Sequence, residues 1–246
     1  LHLLFPQLSW GIDTVSFKNR IFIVCSFLLV CIALFALNTM YIEDDLPALN
    51  GANILKSRAG DNIPLVLMMV FVVYCINTEY STGRIKIIVS KLRNRKYFYI
   101  AKLFICMVGC ITLNMLSSLT YVIGATILGG FDPYSSFSFA NSIVQILLQT
   151  LILCSYVSLF VVIAFLTRSF AGAIICNVLI ILFVPSTLDK LNKILNLKEF
   201  YTQSSIAAYI NCYDINWNIL FVSVANILII LITVLFGTLV FSKKDI

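Results

Sequence analysis

The residues of this sequence that could do more than pack are concentrated in one stretch, TEYSTGRIKIIVSKLRNRKYFYIAKL at 78–103, which holds seven Lys/Arg and a single acid, Glu79. Clustered cations of this kind meet anionic lipid or the acidic face of a partner protein. Catalysis is not what they offer. The only histidine is His2, and no HExxH, GxSxG or GxxxxGK[ST] occurs, so neither a zinc peptidase, a serine hydrolase nor an ATPase is encoded. No metal-ligand set stands out, and a membrane-embedded enzyme would lack its acid, its base and its metal. If ATP drives this protein, another chain hydrolyses it.

The elements that carry that stretch are set by composition. Of 246 residues 61% are hydrophobic and only 11% charged, with a mean hydropathy of +1.00, whereas soluble domains carry about 25% charged residues. This is the composition of an integral membrane protein, with no room for an autonomous soluble catalytic domain. The formal charge of +6 sits at the edges of apolar runs, which points to membrane and partner protein and away from nucleic acid. Eight cysteines lie mostly inside the apolar runs without CxxC pairs, so they are expected as free thiols acting as small hydrophobes. Cys212 is the one placed in an outside loop. Residues 1–20 lack the short apolar core and small-residue cleavage site of a secretory signal, so the first apolar run is expected to stay as a signal-anchor.

Crossing roughly 30 Å of hydrocarbon takes about 20 apolar residues in a helix. Six runs are candidates: 21–40, 63–78, 103–129, 142–166, 170–185 and 217–241. The second and fifth are short, the third and sixth long. With both termini inside, the inside segments hold twelve Lys/Arg and the outside segments five, while eight acids lie outside and three inside. Positive charge accumulates on the cytoplasmic side, so both termini are expected in the cytoplasm of a plasma-membrane protein.

The basic stretch cannot itself span, because seven Lys/Arg at mid-bilayer would cost on the order of 20 kcal/mol. Ile85, Ile88, Val89 and Leu92 recur at helical spacing while Lys86, Ser90, Arg93 and Lys96 fill other faces, the pattern of an amphipathic helix lying on the inner surface. Glu79 is expected near its N-terminus, capped by Thr78, Ser81 or Thr82, with Gly83 permitting a sharp redirection. Outside, Pro185-Ser186-Thr187 should end span five, and Leu188, Leu191, Ile194 and Leu195 should then form a short separate amphipathic stretch. Within the runs the polar groups are amides and hydroxyls: Asn38, Asn77, Asn114, Gln145, Gln149, Asn177 and Asn226. Such amides usually hydrogen-bond between helices. The functional alternative is that Asn177 faces a translocation path.

The stretch resembles the segment after the second span of ABC-2 type permeases, the membrane subunits of ATP-binding-cassette exporters. Those commonly read Glu, a few residues, Gly-Thr-x-Lys, an apolar helix, then Arg and a lysine entering span three. Glu79, Gly83, Lys86, Arg95 and Lys102 fit, and Arg84 stands where Thr is frequent. The ending FSKKDI and the six-span layout are similar too, so the resemblance covers nearly the whole chain. A small permease without a fused ATPase is similar to the bacitracin and lantibiotic-immunity exporters of Gram-positive bacteria.

The resemblance implies an all-α type V (ABCG-like) exporter fold of six transmembrane helices. It further implies an interfacial helix at 3–20, a cytoplasmic coupling helix at 80–96, and an outside helical segment between spans five and six. Partners would be two ATPase subunits, which bind the ATP and Mg, and a second copy or a paralogue, within membrane lipid. The coupling residues would be Glu79, Gly83, Arg84, Lys86, Arg93 and Arg95, with Glu79 pairing to Arg84 or Lys86 and with Arg93 and Arg95 reaching an acidic ATPase groove. Met68, Phe71, Asn177 and Phe183 would line the path of an amphipathic, peptide-like substrate. The competing reading is a secondary carrier or channel whose basic loop serves topology alone. Against it stands the absence of Asp, Glu, His, Lys or Arg inside the six runs, since carriers use such groups as relays.

Overall fold

Hydrocarbon offers a backbone no hydrogen-bond partners, so apolar runs of this length must satisfy their amides internally as helices. The computed structural model describes residues 22–34, 63–83, 85, 95–129, 139–195 and 217–243. Six long helices occur among them: α1 (Phe22–Leu34), α2 (Ile63–Ser81), α3 (Arg95–Gly129), α4 (Phe139–Thr167), α5 (Phe170–Leu195) and α6 (Trp217–Lys243). Four carry apolar stretches long enough to cross a membrane, at Pro64–Ser81, Lys96–Leu128, Ile146–Thr167 and Ser223–Phe241, whereas the apolar helical stretches Phe22–Leu34 and Phe170–Phe183 are shorter. The interfacial helix expected at 3–20 lies outside the described residues.

Helix α4 is the axis. It packs against α2, α3, α5 and α6, and 72% of its apolar stretch is buried against 22% for α6. Its sequence permits this, because Ser155, Ser158 and Ala164 are fully buried and small side chains let neighbouring helices come close. Three polar contacts then pin α3 and α6 to it. Asn114 Nδ2 of α3 donates to Thr150 Oγ1 at 2.8 Å, Ser155 Oγ donates to Asn226 Oδ1 of α6 at 2.8 Å, and Thr233 Oγ1 of α6 donates to Ser158 Oγ at 2.9 Å. The expectation that the amides join helices is met for Asn114 and Asn226. Asn77 instead turns back on its own helix, donating to the Val73 carbonyl at 3.1 Å. Outward faces of α3 and α6 present Phe104, Ile123, Ile127, Ile232 and Leu235, as a lipid-facing surface should. Seven cysteines, from Cys25 to Cys176, are free thiols, and Cys212 lies outside the described residues.

Three boundaries differ from the sequence reading. Span three starts at Arg95 instead of 103, because residues 95–102 contain neither Gly nor Pro and nothing stops the helix. Helix α5 runs through Pro185 to Leu195, so Pro185-Ser186-Thr187 does not end it and the outer amphipathic stretch continues the same helix. Proline removes one N–H from the ladder, a loss that membrane helices tolerate. Helix α2 reaches Ser81 and is not short.

Close approach of α3 to α6 depends on Gly237. A Cβ there would overlap the Tyr99 ring, which is fully buried and lies tilted against Phe165 with centroids 5.3 Å apart, so it has nowhere to retreat. Gly237→Ala gains about 1 kcal/mol of helix propensity but overpacks at a cost of about 1–3 kcal/mol. The expected result is a lower unfolding temperature in detergent, with most of the loss absent in a Tyr99→Ala background, as coupled neighbours require.

Candidate coupling site

Helices α2 and α3 flank the basic stretch, and their facing ends hold its chemistry. Helix α2 stops because Gly83 takes a left-handed φ of 66°, a conformation that costs glycine nothing, and its N–H closes on the Tyr80 carbonyl at 3.1 Å as in a glycine-terminated helix. Gly83 thus ends α2, while nearly all of the stretch that Thr78, Ser81 or Thr82 are expected to cap lies outside the described residues. Thr78, Ser81 and Thr82 hydroxyls bond back to the carbonyls of Tyr74, Thr78 and Thr78 at 2.9, 3.2 and 2.7 Å, so they belong to the end of α2. Glu79 accordingly lies in the last turn of α2 instead of the first turn of the next helix.

A carboxylate there faces the negative end of the helix dipole and is only 8% exposed. It is held by Lys102 of α3, whose ammonium forms an ion pair and hydrogen bond with Glu79 Oε1. Lys102 also stands 5.6 Å over the Phe98 ring, close enough for a cation–π contribution. The partners expected for Glu79, Arg84 and Lys86, lie with Arg93 outside the described residues. Arg95 is the first residue of α3.

Around the ion pair the four helix ends are clamped by rings. Phe165 of α4 sits at the centre, with centroids 6.1 Å from Tyr80 of α2, 6.3 Å from Phe98 and 5.3 Å from Tyr99 of α3, and 5.1 Å from Phe241 of α6. Phe98 and Phe241 are stacked at 5.9 Å. Aromatic pairs add about 0.5–1.5 kcal/mol each beyond burial, so five such contacts tie these four helix ends firmly together. Ile85, a helical residue inside the basic stretch, is buried with the same core, which seats the start of the expected apolar stripe. Reading the sequence missed Lys102 as the partner of Glu79 and missed the ring cluster altogether. Lys102 was visible as part of the motif, but its pairing depends on how two helices rotate against each other.

The path candidates do not share one open face. Met68 is fully buried beside Cys110, whose Sγ is 3.2 Å from Met68 Sδ. Phe71 is buried against Phe22 of α1 at 5.9 Å and against Gly109, where an added Cβ would stand 2.6 Å from its ring. Asn177 is fully buried with neither side-chain atom partnered. Phe183 is 59% exposed. Met68 and Phe71 are thus packed inside this chain's own core, whereas Phe183 is exposed.

Removing one member of a buried ion pair strands the other charge, at a cost of about 3 kcal/mol or more, whereas replacing both costs much less. Glu79→Gln and Lys102→Gln should each lower the unfolding temperature in detergent more than the double substitution does. Additive losses in the double variant would show that the two groups do not stabilise one another.

Residues 16–184 match the family described as ABC-2 family transporter protein. No curated protein matches the chain in sequence. The family match covers more than half of the chain and includes α1 to α4, the Glu79–Lys102 pair and the basic stretch between them. The chain belongs to the ABC-2 family of transporter proteins.

Proposed function

We propose that this chain is the permease subunit of an ATP-driven exporter, and that the basic stretch after Gly83 couples it to ATPase subunits. The observation that carries this is the pairing of Glu79 with Lys102, inside the ring cluster centred on Phe165. The stretch leaves α2 and enters α3 where those two helices are tied together and to α4 and α6. A push on it would displace four helix ends as a unit, and rigid-body motion of that kind switches packed bundles between two states.

In this reading the chain spans the membrane six times with both termini cytoplasmic. Two copies, or this chain and a paralogue, sit on two ATPases that bind ATP and Mg. Arg84, Lys86, Arg93 and Arg95 face an acidic ATPase groove, while Ile85 and its apolar companions hold the segment to the membrane. The apolar, weakly polar interior suits an amphipathic or peptide-like cargo, as in export of antimicrobial peptides by a Gram-positive cell.

The purified chain should hydrolyse no ATP by itself. Co-expressed with its ATPase it should co-purify as a complex, and charge reversal at Arg93 and Arg95 should reduce that co-purification at least tenfold. Glu79→Ala should keep ATP hydrolysis in the complex while lowering cellular protection against amphipathic peptides, normalised to the amount of chain. Unchanged protection and assembly in these variants would take the stretch out of the coupling path. Flux driven by an ion gradient in proteoliposomes without any ATPase would instead favour a secondary carrier.

A further inference from the structure

A cavity of about 650 Å³ lies beside the clamped end, between the last two turns of α2 and the connection from α4 to α5, lined by Asn77, Thr78, Ser81, Arg168 and Ser169 among others. That volume is in the range of small-molecule sites. Its two walls have opposite chemistry. On the α2 wall, Thr78 and Ser81 spend their hydroxyl protons on backbone carbonyls, so their oxygens are left as acceptors. Asn77 spends its Nδ2 on Val73, and its Oδ1 is a buried acceptor without a donor. A buried acceptor left unpaired costs about 1–3 kcal/mol.

The other wall is positive. Arg168 carries a guanidinium, and Ser169 opens α5 by accepting the Gly172 N–H at 3.0 Å, which leaves the amides of Phe170 and Ala171 without intrahelical acceptors. Those amides and the dipole of α5 favour an anion. Arg168 has a left-handed φ of 55°, a conformation that strains any residue but glycine by about 1–2 kcal/mol. Glycine would make this turn at less cost. An arginine there supplies a side chain that glycine cannot.

We propose that this cavity binds the head group of a glycerophospholipid, with its phosphodiester on Arg168 and the α5 N-terminus and a hydroxyl or ammonium donor of the head group on the α2 wall. Lipid is the occupant because the site lies at the end of apolar helices of membrane-crossing length, where head groups are at hand. The assignment is independent of the coupling role proposed above. Head groups with donors, phosphatidylglycerol and phosphatidylethanolamine, bind better than phosphatidylcholine, whose trimethylated nitrogen has none.

The test uses the full chain, delipidated in detergent and titrated with each short-chain lipid, with bound lipid counted by native mass spectrometry. Phosphatidylglycerol and phosphatidylethanolamine should bind about tenfold tighter than phosphatidylcholine, the worth of one good hydrogen bond. Arg168→Gly should weaken all three at least tenfold, measured at equal amounts of folded chain. Asn77→Leu should erase the preference over phosphatidylcholine and leave phosphatidylcholine binding as it was. Inorganic phosphate at millimolar concentration should not displace the lipid. Equal lipid binding by Arg168→Gly and the unsubstituted chain overturns the proposal, as does displacement by phosphate, which would make the site one for a free anion.

Discussion

A carboxylate and an ammonium are held about one-tenth exposed at one end of an apolar bundle, and they remain there only because they face each other. Separated, each would be left uncompensated, since neither hydrocarbon nor a packed core solvates charge. Glu79 is moreover at the unfavourable end of the α2 dipole, so the lysine offsets two penalties at once. The rotation of α2 against α3 is thereby specified at this end. With that rotation set, Tyr80, Phe98 and Tyr99 converge on Phe165.

Different contacts join the described helices at different depths as a result. At the ion-paired end, rings from α2, α3 and α6 meet one residue of α4. Further along α4, toward its start, hydrogen bonds join it to its neighbours, Thr233 to Ser158, then Asn226 to Ser155, then Asn114 to Thr150. Interhelical bonds of this kind contribute only about 0.6 kcal/mol on average in membranes. In the proposed coupling role, helices joined by rings at one end would move from that end as a unit, since close-packed interiors do not deform continuously.

Much of this was legible in the sequence, and the omissions have physical causes. Apolar length locates the helices because hydrocarbon thickness is a hard constraint, and Gly83 was readable as a redirection because the left-handed conformation is glycine's own. Helix ends were misjudged where the deciding term is local and weak. Nothing in residues 95–102 breaks a helix, and Pro185 is tolerated inside one. Glu79 was placed in a following helix because hydroxyls around it look like N-caps, yet the same hydroxyls can bond backward and do so. The ring cluster leaves no trace in the sequence, since Phe165 lies in an apolar run where an aromatic residue carries no period of its own. Arg168 counted only as one more inside charge until its backbone conformation and its neighbours were known.

Charge near the basic end therefore serves two different purposes, and burial separates them. Residues such as Lys96 and Arg168 are exposed at the helix ends, where they are inexpensive to solvate and can act on lipid or on a partner. Lys102 is six residues deeper along α3 than Lys96, mostly buried and committed to Glu79. One lysine is open to its surroundings, the other joins α2 to α3. A segment rich in positive charge explains topology by itself. In the proposed coupling role it would act as a lever because its two ends emerge from helices already joined by a buried pair, so that force applied between them would not be lost in sliding α2 past α3.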